Sequence, residues 1–584
     1  MYTIEERDIV IKGWEKGISD DPYTGLSDMR GMNIISIPGE ASVNFATSKI
    51  SSPTVTTGTV TSADTGTDVV TFTGATGGLE NGMAVVFAGG SLPTGIVAGT
   101  VYWANNVTST TMTLDTTFAS GVTLNITATG TGTFTVYEVS TPKYYAYDSS
   151  NDAYWFVDSS GRVWTNRITT LSGYFKYTGN TVDATANGNG ILYFEASDGT
   201  GYIFVFRNSR IDYTPVATVG WIYGWDPIDA TTGNTDAYLN TAEISNRPHH
   251  ALVGQGNTVY YTDNQYLGSW FQSDPLVPFV PTTLNTYSFA KQAVGIETTD
   301  QANCLAVFGS DVYIGGSRNA IYVWNRLSFG YQRRILLAES FIVWMEVVNT
   351  NVFVFAGNRG RIYRTNGSNV NLYKKVPDHL SATIEPYFVW GGVASIKNQL
   401  YFGVYATDNS GTAINEYGGL WSIDMDTNAL RMSDQLSYGD YTKYASMVIP
   451  QFTYTASPTN PSGIGLVIGW PGGVDSSSAS PFSTYVPYVD SELIPIATFL
   501  QSRTFENIEF KLTTPLVDGE GIKVMYRQKF TDSFTLIGET TTVGAFSDVY
   551  TVNFQNAQWI QFRVYSKSTA TTPSYVRLKE LRIR

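Results

Sequence analysis

One unit returns along this chain and limits what it can become. A short apolar strand, a turn of Gly, Asn or Asp and a second, aromatic-rich strand recur from about residue 144 to about residue 470. Copies lie at 144–164, 191–206, 251–261, 305–324, 342–363, 393–423 and 447–470. A spacing of roughly 40–60 residues suits one four-stranded sheet per repeat. No such sheet can cover both of its faces alone, so successive sheets must stack around an axis. The predicted fold class is therefore all-β, with a central β-propeller of about seven blades. A propeller is a platform and by itself names no function.

With 584 residues the chain exceeds one core, and four segments separate by composition. Residues 1–49 read as an N-terminal extended segment packing on the platform. Extended pieces at 32–37 and 41–45 flank a Pro38-Gly39 turn, and this segment is placed to complete a sheet begun by the far end of the chain. Residues 50–138 contain no Lys, Arg or His; their charges are Asp64, Asp68, Glu80, Asp115 and Glu138. Apolar–polar alternation at 68–73, 83–88 and 131–137 marks a small β-domain inserted into a loop. Residues 139–487 hold the propeller, with Ser-rich 475–482 read as loop or linker. Residues 488–584 read as a C-terminal β-sandwich, alternating at 522–529 and 559–565. In its last strand the apolar phase slips between Leu578 and Leu581, which a bulge at Lys579-Glu580 would restore. Helix is nearly absent, 338–348 being the one stretch with an ambiguous pattern.

The candidate chemistry is thin. Aromatics make up 14% and charged residues 15% of the chain, against about 25% charged in ordinary soluble proteins. A net charge of −14 argues against nucleic-acid binding over the whole surface, though not against DNA passing through a channel. Cys304 is the single cysteine and sits among apolar neighbours, where it reads as a small buried hydrophobe. His249 and His250 would point to opposite faces of a strand, and His379 stands apart, so no Cys/His zinc set forms. Asp424, Asp426 and Asn428 resemble a calcium loop, but Ala429 and Gln435 replace its turn Gly and bidentate Glu. Asp158 through Trp164 has the flavour of a sialidase Asp-box with the wrong spacing. Arg333, Arg334, Arg359, Arg361 and Arg364 read as turn charges or ion-pair partners. The basic run Arg563, Lys567, Arg577, Lys579, Arg582 and Arg584 reads as a solvated strand face, or else as a docking edge for an acidic neighbour. The chain's start shows no signal-peptide pattern and no run suits a membrane helix, so synthesis in a cytoplasm and no membrane insertion are expected. No catalytic, cofactor-binding or metal-binding residue is assigned.

Gly13-Trp14 with Gly17-Ile18, and the stretch Asp28-Met29-Arg30 through Pro38-Gly39, together resemble the opening of tail proteins of short-tailed bacteriophages. Segments 82–87, 92–95, 99–102 and 130–133 resemble a small β-domain of phage virion proteins, and 559–583 is similar to the sandwiches that follow phage propellers. The resemblance, to the propeller-containing tail hub or nozzle (tail tubular) family, implies a structural virion protein in the tail. It would form a ring, commonly of six copies, below the portal and adaptor, carry tail fibres or spikes, and let DNA leave without sequence-specific binding. An acidic, lightly charged lining would let phosphates slide without the counterion release that makes grip. The alternative is a receptor- or carbohydrate-binding tail protein, motivated by thirteen Trp and thirty-eight Tyr. A propeller glycosidase is the third reading.

Overall fold

The computed structural model describes residues 2–5, 8–12, 14, 17–18, 26, 28–30, 32–33, 41–43, 45–49, 57–74, 79–117, 121–151, 153–166, 175–181, 190–195, 201–207, 210–215, 226–227, 251–255, 258–272, 287–357, 359–377, 386–396, 398–407, 417–434, 444–451, 465–481, 487–495, 505–529, 532–554, 557–568 and 576–584. The protein is all-β, built from many small antiparallel sheets.

Seven of these follow one plan. The first sheet runs Pro142–Asp148, Ala153–Asp158, Arg162–Thr165 and Lys176–Thr181; the second, Gly190–Glu195, Gly201–Arg207, Arg210–Pro215 and Asp226–Pro227. The third runs Leu252–Gln255, Thr258–Asp263, Tyr266–Gln272 and Tyr287–Gly295; the fourth, Ala302–Phe308, Asp311–Gly316, Ala320–Trp324 and Arg333–Leu336. The fifth runs Ile342–Val348, Asn351–Ala356, Arg361–Thr365 and Val370–Lys375; the sixth begins Tyr387–Ile396, Gln399–Tyr405, Leu420–Asp424 and Leu430–Asp434. The seventh holds Met447–Gln451, Gly465–Trp470 and Gly473–Pro481, with Phe45–Lys49 from the N-terminal segment as its fourth strand.

Burial explains why these sequences read as near-continuous apolar runs. Ala153–Asp158 is buried at every position, as are Ala320–Trp324 and Leu420–Asp424, because neighbouring sheets cover both faces. The outer strand Arg333–Leu336 has one buried residue in four. The first strand of each sheet packs on the first strand of the next, and that of the seventh packs on that of the first. Two long-range hydrogen bonds join the seventh sheet to the first: Ser446 Oγ donates to the Pro142 carbonyl at 2.5 Å, and Tyr154 Oη to the Pro450 carbonyl at 2.9 Å.

Buried aspartates hold the turns. Asp158 accepts from Trp164 Nε1 at 3.0 Å, Ser160 N at 2.8 Å and Arg162 N at 3.1 Å. Asp475 accepts from Trp470 Nε1 at 2.8 Å, and Asp300 from Tyr322 Oη and Arg318 N, both at 2.9 Å. A carboxylate leaves water without a large penalty only when its lone pairs are filled in this way.

The inserted segment forms a closed barrel of six antiparallel strands: Val101–Asn105, Thr111–Asp115, Val69–Thr73, Thr57–Asp64, Gly132–Val136 and Ala84–Ala88. Its interior is filled by Val60, Phe72, Phe87, Leu114 and Phe134, among others, so it is a packed core. Phe72 and Phe134 meet edge to face with centroids 5.3 Å apart.

At the C-terminal end two sheets share one apolar core. One carries Asn507–Leu512, Ser547–Thr551 and Arg577–Ile583, joined by Tyr2–Glu5, Asp8–Ile11, Met32–Asn33 and Ala41–Val43. The other is the outward continuation of the sixth sheet through Asp28–Arg30, Tyr488–Asp490, Gln561–Lys567, Gly521–Arg527 and Thr535–Thr540. Ile508, Phe510, Leu578, Leu581 and Ile583 of the first meet Ile522, Val524, Phe562 and Val564 of the second. The register slips where Lys511 faces Glu580 and Leu512 faces Leu578, leaving Lys579 bulged and both leucines buried, as their phase requires.

Two local expectations fail. The Ser-rich 475–482 stretch is no linker: most of it lies in strand Gly473–Pro481, because Phe45–Lys49, distant in sequence, supplies a hydrogen-bonding edge that outweighs weak strand propensity. The ambiguous 338–348 stretch contains strand Ile342–Val348, not helix; its valines and Ile342 are stiff at χ1 and pack between sheets.

Candidate functional site

The sequence singled out residues for chemistry, and the structure mostly spends them on architecture. Cys304 is 2% exposed, and burial pushes its thiol well above the ordinary range, away from nucleophilic use. His249, His250 and His379 lie outside the described residues. Asp424 closes a turn, accepting from Thr427 N at 2.8 Å and Asp426 N at 3.1 Å, with Asn428 at φ 58°. Among the described residues no group of three or more His, Cys, Asp or Glu could hold a metal ion. Arg334 pairs with Glu297 and Arg361 with Glu339, while Arg364 sits over the Tyr373 ring at 5.4 Å. The arginines therefore do not converge on one anion site.

The basic C-terminal run is largely consumed internally. Arg584 pairs with Glu509 at 2.7 Å, and Arg582 with Glu580 at 3.0 Å. Lys511 also reaches Glu580, at 2.7 Å, and these two cations hold that carboxyl below its ordinary range against the opposing effect of burial. Arg563 grips Asp490 through Nε at 2.6 Å and Nη2 at 2.7 Å, with its guanidinium 3.8 Å above Tyr488. Tyr488 Oη in turn donates to Asp28 at 2.6 Å. Burial pushes the Asp490 carboxyl up, and the Arg563 fork opposes it. This cluster pins the bridging strand Asp28–Arg30 where the sixth sheet passes into the terminal sheets.

The Gly-Trp motif works at the same junction. Trp14 is 1% exposed and its Nε1 donates to the Lys579 carbonyl at 3.0 Å. Gly17 has φ +69° and lies so close to Leu430 that an added Cβ would stand 2.6 Å from its backbone nitrogen. Only glycine suits that position. The adjacent Ile18 N donates to the Leu430 carbonyl at 2.7 Å.

A second seam joins the barrel to the first sheet. Along Val101–Asn105, Tyr102 and Ala104 point into the barrel while Trp103 points out. Its Nε1 donates to the Tyr177 carbonyl at 2.8 Å, and the rings stack at 6.4 Å. Beside it Lys176, 1% exposed, pairs with Glu80 at 3.4 Å; desolvation lowers the lysine's pKa and Glu80 opposes the shift.

Among the described residues two concavities stand out. Where the first strands converge there is a cavity of about 340 Å³, lined by Tyr145, Tyr193, Leu305, Trp344 and Glu346, among others. Glu346 accepts from Ser395 Oγ at 2.8 Å and Trp344 Nε1 at 3.2 Å, and burial pushes its carboxyl up. The second, about 560 Å³, opens between the fifth and sixth sheets. Phe341, Tyr387, Trp390, Tyr405 and Tyr444 supply its rings. Neither was legible in sequence, since their residues come from separate repeats.

No family model matches the chain, and no curated protein does. Among solved structures the chain is similar to the computationally designed Ika8 protein, at 12% identity and TM-score 0.34, over 58% of this chain and 98% of that one. It is similar to Chaetomium thermophilum Raptor at 10% identity and TM-score 0.35, over 58% and 28% respectively. The β-propeller domain of Myceliophteria thermophila Cps50 (Swd1) gives 11% identity and TM-score 0.38, over 58% and 97%. Likenesses of this order carry no argument about what the chain does.

Proposed function

We propose that the seven stacked sheets form a seven-bladed β-propeller and that the protein is a structural scaffold: the tail nozzle of a short-tailed bacteriophage, assembled as a ring of six. The observation that carries the scaffold reading is the way one N-terminal segment is sewn into three places. Phe45–Lys49 completes the seventh sheet, Asp28–Arg30 bridges the sixth sheet to the terminal ones, and Asp8–Ile11 pairs with Arg577–Ile583. Such stitching makes a stiff body from parts that would otherwise move as domains. The phage assignment itself rests on the sequence resemblance.

A conduit in this reading lies between copies. The cavity at the convergence of the sheets, about 340 Å³ and lined by aromatics, is far too small for a duplex whose major groove alone is about 12 Å wide. Copies of a chain with net charge −14 would repel phosphate along a shared lumen instead of binding it. The ring would seat on portal and adaptor and carry fibres or spikes, as the family resemblance implies. Native mass spectrometry of the purified chain tests this: a six-copy ring that joins the adaptor supports it. A protein that stays monomeric, or a trimer that binds cell-wall glycan, overturns it.

A further inference from the structure

The cleft between the fifth and sixth sheets has features that packing alone does not require. Phe341 holds a left-handed backbone at φ 67°, a conformation a bulky side chain adopts only when its surroundings impose it. Two backbone hydrogen bonds do so: Phe341 N donates to the Ser317 carbonyl at 2.9 Å, and Gly357 N to the Phe341 carbonyl at 3.0 Å. The strain does not serve to bury the phenyl, which is 47% exposed. It faces Trp390, their centroids 6.0 Å apart and their planes 31° from parallel. Three tyrosines continue the wall, with Tyr387–Tyr405 centroids at 5.1 Å and Tyr405–Tyr444 at 4.6 Å. All five rings remain at least partly open to the cleft.

The lining restricts the occupant. Among the described residues it holds no charged side chain: Ser340, Val343, Gly357, Phe388 and Val389 complete it. Glu339 lies against Gly357 at the rim and is already paired with Arg361. Among these residues phosphorylated and carboxylated ligands would find no counter-charge, and a metal ion no carboxylate. The tyrosines bring hydrogen-bonding groups to this wall, Tyr387 already sharing one bond with Thr407, and a purely apolar ligand would leave their remaining capacity unused. Desolvation raises the pKa of Tyr387, to about 12, and of Tyr444, so both stay protonated donors at neutral pH. The volume, about 560 Å³, falls within the range of small-ligand sites.

We infer that this cleft binds a neutral saccharide, its C–H faces against Phe341 and Trp390 and its hydroxyls on the tyrosines. Binding would give the scaffold a direct contact with a glycan surface, an activity separate from ring formation.

Calorimetric titration of the full chain with maltotriose, cellotriose and triacetylchitotriose tests this, with a proline-rich decapeptide as comparison. At least one trisaccharide is expected to bind. Phe341→Gly, which removes the ring and relaxes the backbone, should weaken it about tenfold. Tyr444→Phe, which keeps the ring and removes one hydroxyl, should weaken it about threefold. Both variants should melt no more than a few degrees from the parent. No heat with any trisaccharide, binding indifferent to both substitutions, or binding of the peptide alone overturns the assignment. Saccharide binding by a chain that never forms rings would refute the nozzle and leave the cleft standing.

Discussion

Trp103→Ala should undock the barrel without unfolding it. The indole is 6% exposed and belongs to the core shared with Tyr154, Phe156, Trp164 and Tyr177, not to the barrel's interior. Truncating a buried Trp costs about 3–5 kcal/mol, part of which is the Tyr177 carbonyl losing its donor. About 3 kcal/mol corresponds to roughly a hundredfold change in an opening equilibrium. Native-state hydrogen exchange reads this residue by residue. Amides of Lys176–Thr181, on the sheet edge the barrel covers, should lose about a hundredfold in protection. Those of Val69–Thr73, inside a core built on Phe72 and Val70, should keep theirs. Trp103→Phe, which retains most of the contact area, should lose only about tenfold. Equal loss of protection throughout the barrel would refute the reasoning, because Trp103 would then be holding the barrel itself. Unchanged exchange at Lys176–Thr181 would refute the seam.

Three further perturbations probe the scaffold. Gly403→Ala would drive a Cβ into the Ala445 carbonyl oxygen, and should destabilise by at least the ~1–3 kcal/mol of an overpacked core, measured by denaturant midpoint. Asp158→Ala would strip partners from Trp164 Nε1 and from the amides of Ser160 and Arg162, and should cost about 3 kcal/mol or more in the same assay. Lys176 has a folded pKa below its ordinary 10.5, so its burial penalty is full at neutral pH and fades as pH rises from the lowered value through 10.5. Stability of the parent should therefore rise in that alkaline window relative to Lys176→Met, and identical pH dependence in the two would remove Lys176 from the seam.

How much of this was readable depends on the range of the interaction. Strand-forming runs are local: alternating Tyr144 and Ala146, or the unbroken apolar Val352 to Ala356, state their burial in their own order. The phase slip between Leu578 and Leu581 likewise announced its bulge, since two residues cannot share a strand face at odd spacing. The cleft was not legible, because Phe341, Trp390, Tyr405 and Tyr444 are brought together by sheet stacking, and nothing in each residue's neighbours marks it.

The alternation and the turn residues alone determined that this chain is all-β, made of repeated small sheets with an insert that has its own core and no Lys, Arg or His. Which strands share a sheet was decided by tertiary structure. Gly473–Pro481 pairs on one edge with its neighbour Gly465–Trp470 and on the other with Phe45–Lys49, which arrives from far along the chain, and the sixth sheet extends because Asp28–Arg30 lies along its edge. The same holds for Arg563, Arg582 and Arg584: sequence left them as solvated or docking charges, and pairing with Asp490, Glu580 and Glu509 made them internal ties. A main-chain edge offers the same hydrogen bonds to any strand, and a carboxylate attracts any nearby cation. The choice of partner is therefore settled by which segments the packing of the sheets carries into reach.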